Sequence, residues 1–286
     1  MGPMLLPIAL GVVMLSLGLA LTLDDFRRVL NFPRAVIVAL ACQTVLLPLV
    51  CFGLCVLFRL PPELAVGLML LAASPGGVMA NVFSHLANGD LALNITLTAV
   101  NSALSILTLP LLLAGSLFFF MEEGRFIPPQ FGKIVQVFAI VLVPVGIGML
   151  LRARRPSLTT RLDKPVKIFA TLFLIVAASF AIIKAWDTMV QFFAELGAAV
   201  VTFCLLSLLV GYNVPRMLKI GPRQATAISM EIGLHNGALA IAIALSPMIL
   251  NSPVMAVPPA LYGVISPFVA AAFAVFLNRM LKRSAA

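Results

Sequence analysis

Glu231 is the one acidic residue set deep inside an apolar segment, in the run Met230-Glu-Ile-Gly-Leu-His-Asn-Gly-Ala-Leu239. Nine residues separate it from Pro222, so a helix starting there would carry the carboxylate roughly 13 Å into a bilayer. That depth is close to the middle of a hydrocarbon core about 30 Å thick. A charge there is costly unless it meets a cation, a partner or water, so it points to function. The two glycines, the histidine and the asparagine beside it form a poor continuous helix. A carboxylate at a helix break in mid-membrane is what a cation-coupled carrier needs.

A second interruption lies in Ser74-Pro-Gly-Gly-Val-Met-Ala-Asn81. Proline removes a backbone donor and clashes with the preceding turn, and the glycines that follow offer no resistance to unwinding. Carbonyls freed by unwinding can coordinate a hard cation such as sodium. Half-helices that restart after a break present free amides and a positive dipole end, which favours an anionic group. A plain kink, with its backbone groups satisfied by neighbours, is the alternative for either break taken alone.

Other polar side chains stand within reach. Gln43 sits amid apolar residues, and Asn94 and Thr98 are four apart, on one helical face. For Thr98 the competing role is a hydroxyl bonded back to its own helix. For Asn94 and Gln43 it is interhelical glue. Asn94-Ile-Thr96 matches a glycosylation tripeptide but lies inside an apolar span, which excludes that use. His85 reads as a loop-end residue.

The elements that position these groups follow from composition. The 286-residue chain is 62% hydrophobic and only 10% charged, more apolar side chain than a soluble domain can hide. It reads as an all-α polytopic membrane protein, a single transmembrane domain over 1–286. The N-terminus lacks a basic region and a cleavage site, so residues 4–23 are expected as a retained span. The net charge of +9 reflects basic loops on one side of a membrane rather than nucleic-acid binding. Cys42, Cys51, Cys55 and Cys204 lie in apolar runs with no zinc spacing and read as reduced packing residues.

Hydropathy predicts nine spans, at about 4–23, 35–58, 63–86, 90–120, 131–151, 165–185, 190–213, 222–250 and 256–280. An odd number puts the termini on opposite sides. With the C-terminus inside, fifteen of the nineteen Lys and Arg are internal, leaving outside only Arg59, Arg125, Lys133 and Lys184. The N-terminus is therefore expected outside and the C-terminus in the cytoplasm. Sliding the chain by 160 residues lays spans 1–4 over spans 6–9, with Pro62 on Pro222, Ala65 on Ala225, Gly77 on Gly237 and Ala80 on Ala240. Matching spans lie an odd number apart, so the copies run oppositely, as in the inverted repeats of secondary transporters. Interruptions at corresponding positions of two such halves point to the binding site.

These residues resemble the bile acid:sodium symporter family, in its bacterial and organellar branch for small organic anions. The likeness rests on Leu60-Pro-Pro-Glu-Leu-Ala-Val-Gly67, Pro75-Gly-Gly-Val-Met-Ala-Asn81 and Glu231-Ile-Gly-Leu-His-Asn236, and extends over essentially the whole chain. It resembles the nine-helix form. The resemblance implies a core domain, about 35–120 and 190–280, in which spans 3 and 8 cross at their breaks. A panel of helices at about 4–23, 131–151 and 165–185 would pack against it. It further implies one sodium held by Asn81, Asn94, Thr98 and Glu231. A second sodium would be held by Gln43, Glu231, His235 and the backbone near Ile232 and Leu234. Substrate would touch the crossover near Val78 and Asn236. The chain departs from the family pattern at His235, where glutamine is usual, at Ala80, where serine is usual, and at Asn94, which replaces a serine. A neutral imidazole offers one lone pair and titrates near pH 6.5 when unperturbed. Span 9 carries Ser266-Pro267 where bile acid-binding bacterial members have polar side chains.

The sequence thus reads as a sodium-coupled symporter of an organic anion, in the small carboxylate class, working by alternating access. The expected setting is a bacterial inner membrane, as a monomer among lipid, with sodium as coupling ion and no soluble cofactor. A proton-coupled carrier or an anion exporter of the same fold is the alternative. Exporters related to arsenite carriers use a cysteine at the first break, and none lies between Ser74 and Asn81. An intramembrane hydrolase is remote, since the two histidines are far apart and form no metal motif. An enzyme is not expected.

Overall fold

The computed structural model describes residues 27–121, 131–247 and 249–285, with six further positions between 11 and 24. The expected first span, 4–23, falls largely outside the described residues. What is described is helical almost throughout, as an all-α membrane protein requires. Four described helices are long and apolar enough to cross a membrane: Pro33–Leu57, Leu91–Phe120, Phe193–Met217 and Pro253–Met280.

The elements run α1 (Pro33–Leu57), α2 (Pro62–Ala73), α3 (Val78–Leu86), α4 (Leu91–Phe120), α5 (Phe131–Arg154) and α6 (Pro156–Lys184). A short α7 (Trp186–Gln191) leads to α8 (Phe193–Met217), α9 (Pro222–Gly233), α10 (Gly237–Leu245) and α11 (Pro253–Ala285). The sixth span was expected from 165. Helix α6 instead starts at Pro156, where proline's fixed φ suits a first helical position, and it carries Pro165 internally.

Local chemistry explains the joints. Pro48 cannot donate to the Thr44 carbonyl and would crowd it, and α1 answers with a π-helical stretch, Cys42–Leu46, in which the Leu47 amide bonds the Cys42 carbonyl. Gln43 is buried on that widened turn. At the end of α1, Arg59 has φ 50° and the Leu60 amide reaches back to Cys55 O. At the end of α8, Lys219 has φ 60° and the Ile220 amide reaches Pro215 O. Both are left-handed helix endings, and each leads into a 12-residue helix with proline at its first position. The bounds of α1 and α8, and of α2 and α9, lie 160 residues apart at both ends.

The register changes at the breaks. Four residues, 74–77, separate α2 from α3, whereas three, 234–236, separate α9 from α10. Beyond the breaks the matching helices start 159 residues apart, so Asn236, and not Gly237, stands in the position of Gly77. The two unwound segments lie antiparallel, with Gly76 opposite His235. The Gly77 amide donates to Leu234 O at 2.9 Å, and the Asn236 amide donates to Pro75 O at 2.8 Å.

Packing around this crossover is close. Ser229 Oγ of α9 donates to Leu208 O of α8 at 2.6 Å. Helix α2 meets α11 at Gly67, where a Cβ would overlap the Met255 carbonyl. That carbonyl has no intrahelical donor, because Pro259 stands four residues on. Gly67→Ala should therefore cost about 1–3 kcal/mol through overpacking against immovable backbone. Gly53→Ala, with nothing within 4 Å of its Cβ, should be neutral or slightly stabilising. Thermal unfolding of the two variants in detergent checks this, and equal midpoints would refute the packing argument.

Candidate cation site

The site begins with a register. The Asp90 amide donates to Arg223 O at 2.9 Å, tying the start of α4 to the start of α9. Asp90 also caps α4, accepting from the Leu93 amide at 3.1 Å. Eight residues on, about 12 Å along each helix, stand Thr98 and Glu231. That equal spacing brings them level.

Glu231 is fully buried. Its Oε2 accepts from the Thr98 hydroxyl at 2.6 Å and from Asn94 Nδ2 at 3.3 Å. Asn94 Nδ2 also donates to Asn81 Oδ1 at 3.1 Å. Asn94 thus spends both amide hydrogens on bridging α3 to α9. Thr98 has one proton and two acceptors in range, since Asn94 O lies 3.0 Å from its hydroxyl. The shorter contact is to the Glu231 carboxyl, so the back-bond to its own helix is not its sole role.

Two buried oxygens here make no hydrogen bond of good geometry: Glu231 Oε1 and Asn94 Oδ1. Oε1 lies against the backbone of Gly76, where any Cβ would overlap it. Asn101, one turn beyond Thr98, and the Gly76 backbone amide reach toward the same carboxylate. In a dry interior such acceptors are expensive unless a positive charge meets them. Among the described residues no three His, Cys, Asp or Glu side chains gather to hold a metal ion. The side chains gathered here offer one carboxylate with amide and hydroxyl oxygens, a combination that suits a hard cation.

The residues expected at a second cation form a separate group. Gln43 Nε2 donates to Ser74 O at 2.9 Å and to Ala72 O at 3.2 Å. His235 Nδ1 lies 3.4 Å from the same Ser74 carbonyl. Gln43 Oε1 and His235 Nε2 are buried without partners. The Leu234 carbonyl is engaged by the Gly77 amide, and Ile232 is buried in the last turn of α9. The carboxylate's hydrogen bonds run to Asn94 and Thr98, and Gln43 and His235 meet instead at Ser74 O.

Of the residues expected to touch substrate, Asn236 caps α10, its Oδ1 accepting from the Leu239 amide at 3.0 Å. Its amide hydrogens are what remain for a ligand. Val78 is the first residue of α3, and its side chain lies outside those described. All four cysteines are free and buried.

Three participants escaped the sequence reading. Asn101 shares the face of Asn94, seven residues on, a spacing that could have found it. Gly76 was read only as a residue permitting unwinding. Tyr262, whose hydroxyl meets Gly233 O at 2.5 Å, carried one signal, a phenol in an apolar run that needs a partner.

The model of the sodium bile acid symporter family matches residues 7–192. The chain is 27% identical over 279 residues to the uncharacterized sodium-dependent transporter YocS of Bacillus subtilis, covering 98% of this chain and 84% of that protein. It is 28% identical over 273 residues to the probable chloroplastic sodium/metabolite cotransporter BASS2 of Oryza sativa, covering 95% of this chain and 63% of that one. Similarity to the hepatic sodium/bile acid cotransporter of Rattus norvegicus is 28% over 236 residues, 81% of this chain and 64% of the rat protein. The chain thus spans less than two thirds of the rice and rat proteins. With a family match over most of its length, the chain belongs to the sodium bile acid symporter family.

Proposed function

We propose that this chain is a sodium-coupled symporter of a small organic anion, in the carboxylate class, working by alternating access with Glu231 as coupling centre. One observation carries the reading. A fully buried carboxylate keeps Oε1 without a well-formed hydrogen bond, as is Asn94 Oδ1, where two interrupted helices pair their backbones. The family consists of sodium-coupled transporters rather than enzymes, so the hydrolase alternative falls away.

Sodium would sit among Asn81, Asn94, Thr98 and Glu231, its charge offsetting the carboxylate. Occupancy would favour the crossover geometry in which α3 and α10 turn their first amides toward the anion, near Val78 and Asn236. Each ligand then stabilises the arrangement the other prefers, a reciprocal coupling. Matched helix bounds support an inverted repeat within a nine-span chain, with core and panel moving against each other in a bacterial inner membrane, N-terminus outside. A second sodium at Gln43, His235, Glu231 and the Ile232 and Leu234 carbonyls belongs to the same reading. The unpartnered Gln43 Oε1 and His235 Nε2 support that second site.

His235 Nε2 also supports proton linkage. Neutral imidazole offers a lone pair there, whereas the imidazolium would repel sodium. Apparent sodium affinity should then fall at pH values low enough to protonate this imidazole, and His235→Gln should abolish that fall. An acid-induced fall identical in the two proteins would remove His235 from the coupling.

The primary test is uptake of labelled anions into proteoliposomes with and without a sodium gradient. Glu231→Ala should abolish gradient-driven uptake, a loss of about 100-fold or more for an unpaired site rebuilt around a neutral side chain. Sodium-independent uptake that survives the substitution would sink the proposal. Gly76→Ala makes a sharper companion, because its methyl would displace Oε1 while leaving every ligand in the chain. It should raise the sodium concentration for half-maximal uptake at least about tenfold, and normal sodium dependence would show that Oε1 is no ligand.

A further inference from the structure

We propose that Tyr262 is a positioning residue for cation coupling, fixing the end of α9 so that Glu231 is held against Gly76. This rests on the sodium-coupled reading above. Tyr262 is fully buried, and its hydroxyl donates to the carbonyl of Gly233 at 2.5 Å. Gly233 is the last residue of α9, two after Glu231. The final carbonyls of a helix have no partner within it, and inside a membrane no water supplies one. Leu234 O is taken by the Gly77 amide. Gly233 O is taken by this phenol. The two bonds, one from α3's cap and one from α11, determine where the last turn of α9 stops.

Helix α11 grips the break on both sides. Tyr262 holds the end of α9, and one turn earlier the Pro259 carbonyl lies 3.2 Å from where a Cβ on Gly237, the start of α10, would stand. The Tyr262 ring also meets the His235 ring edge-on, with centroids 5.6 Å apart, and Phe203 at 6.2 Å, while Phe203 stacks on His235 at 5.1 Å. The same α11 packs against α6, one of the helices expected to form the panel. Through its hydroxyl Tyr262 therefore ties the end of α9 to a helix that lies against the expected moving partner. Losing the hydroxyl would leave a buried carbonyl unpaired, and the last turn of α9 would shift to relieve it.

Tyr262→Phe removes one oxygen and keeps the ring. In proteoliposomes it should raise the sodium concentration for half-maximal uptake about five- to tenfold, the loss expected of one buried hydrogen bond. The substrate KM at saturating sodium should stay within about twofold. A merely structural role would lower yield and maximal rate and leave sodium half-saturation where it was. Phe203→Leu, which trims the aromatic contacts but spares the hydrogen bond, should keep wild-type sodium half-saturation. An equal shift in that variant would assign the effect to ring packing and overturn the proposal. Sodium-dependent protection of the purified proteins against heat reads the same shift in variants that insert but do not transport. If wild-type uptake ignores sodium, the symport reading falls and this inference falls with it. If the wild type responds to sodium and Tyr262→Phe responds identically, only this inference is overturned.

Discussion

A helix broken inside a membrane must find partners for its freed backbone groups, and here each break finds them in the other. Gly77 N–H meets Leu234 O and Asn236 N–H meets Pro75 O, a two-bond antiparallel ladder where water could not substitute. Neither break is tolerable alone. The first ends in Pro-Gly-Gly because its chain must stay extended: Ser74 has the extended ψ of 146° that a following proline favours. The second break reaches the same geometry with one residue fewer and uses the Asn236 side chain to cap the helix that follows. The crossover is thus a backbone structure first, and the side chains of the candidate cation site are arranged around it.

Glu231 is the clearest case. It sits on the last turn of α9, so the point at which α9 stops determines where its carboxylate lies. Gly76 lacks the Cβ that would overlap Oε1. Thr98 and Asn94 arrive on Oε2 through the Asp90–Arg223 tie and an equal count of residues along two helices. One carboxylate oxygen therefore takes two well-formed hydrogen bonds, while the other, and Asn94 Oδ1, take none of comparable geometry. A carboxylate meant only to fasten helices together would be satisfied on both oxygens. This asymmetry is the physical ground on which a cation is proposed there.

Much of this was legible in the sequence, because the strongest signals were violations of the membrane rule. A lone acid in an apolar run, a Pro-Gly-Gly in mid-span and an amide and hydroxyl four apart on one face each break what lipid allows. The helices at 33–57 and 193–217 lie within a few residues of the spans that hydropathy predicts. What escaped depends on pairing rather than pattern. The slip from 160 to 159 leaves Gly77 over Gly237 in a sequence overlay, and it becomes visible only when Asn236 is seen donating where Gly77 donates. The π-helical turn under Gln43 follows from Pro48, whose effect reaches four residues back. Tyr262 was hidden because its partner is a main-chain carbonyl, which no residue type announces.

The division of the polar groups into two clusters bears on how coupling could work. Asn81, Asn94, Thr98 and Glu231 form a chain of hydrogen bonds across α3, α4 and α9. Gln43 and His235 converge instead on the Ser74 carbonyl at the end of α2. Between them runs the two-bond ladder. Asn94 reaches α3 at Asn81, Gln43 holds the last carbonyls of α2, and α3 begins beside Leu234. A change at either cluster is therefore transmitted to the four residues that join α2 to α3. Those residues carry two glycines and no side-chain cap at Gly77, so they resist rearrangement least. The second break, capped by Asn236 and held by Tyr262, resists most. On this physical ground the first break is the compliant partner of the crossover and the second is its anchor.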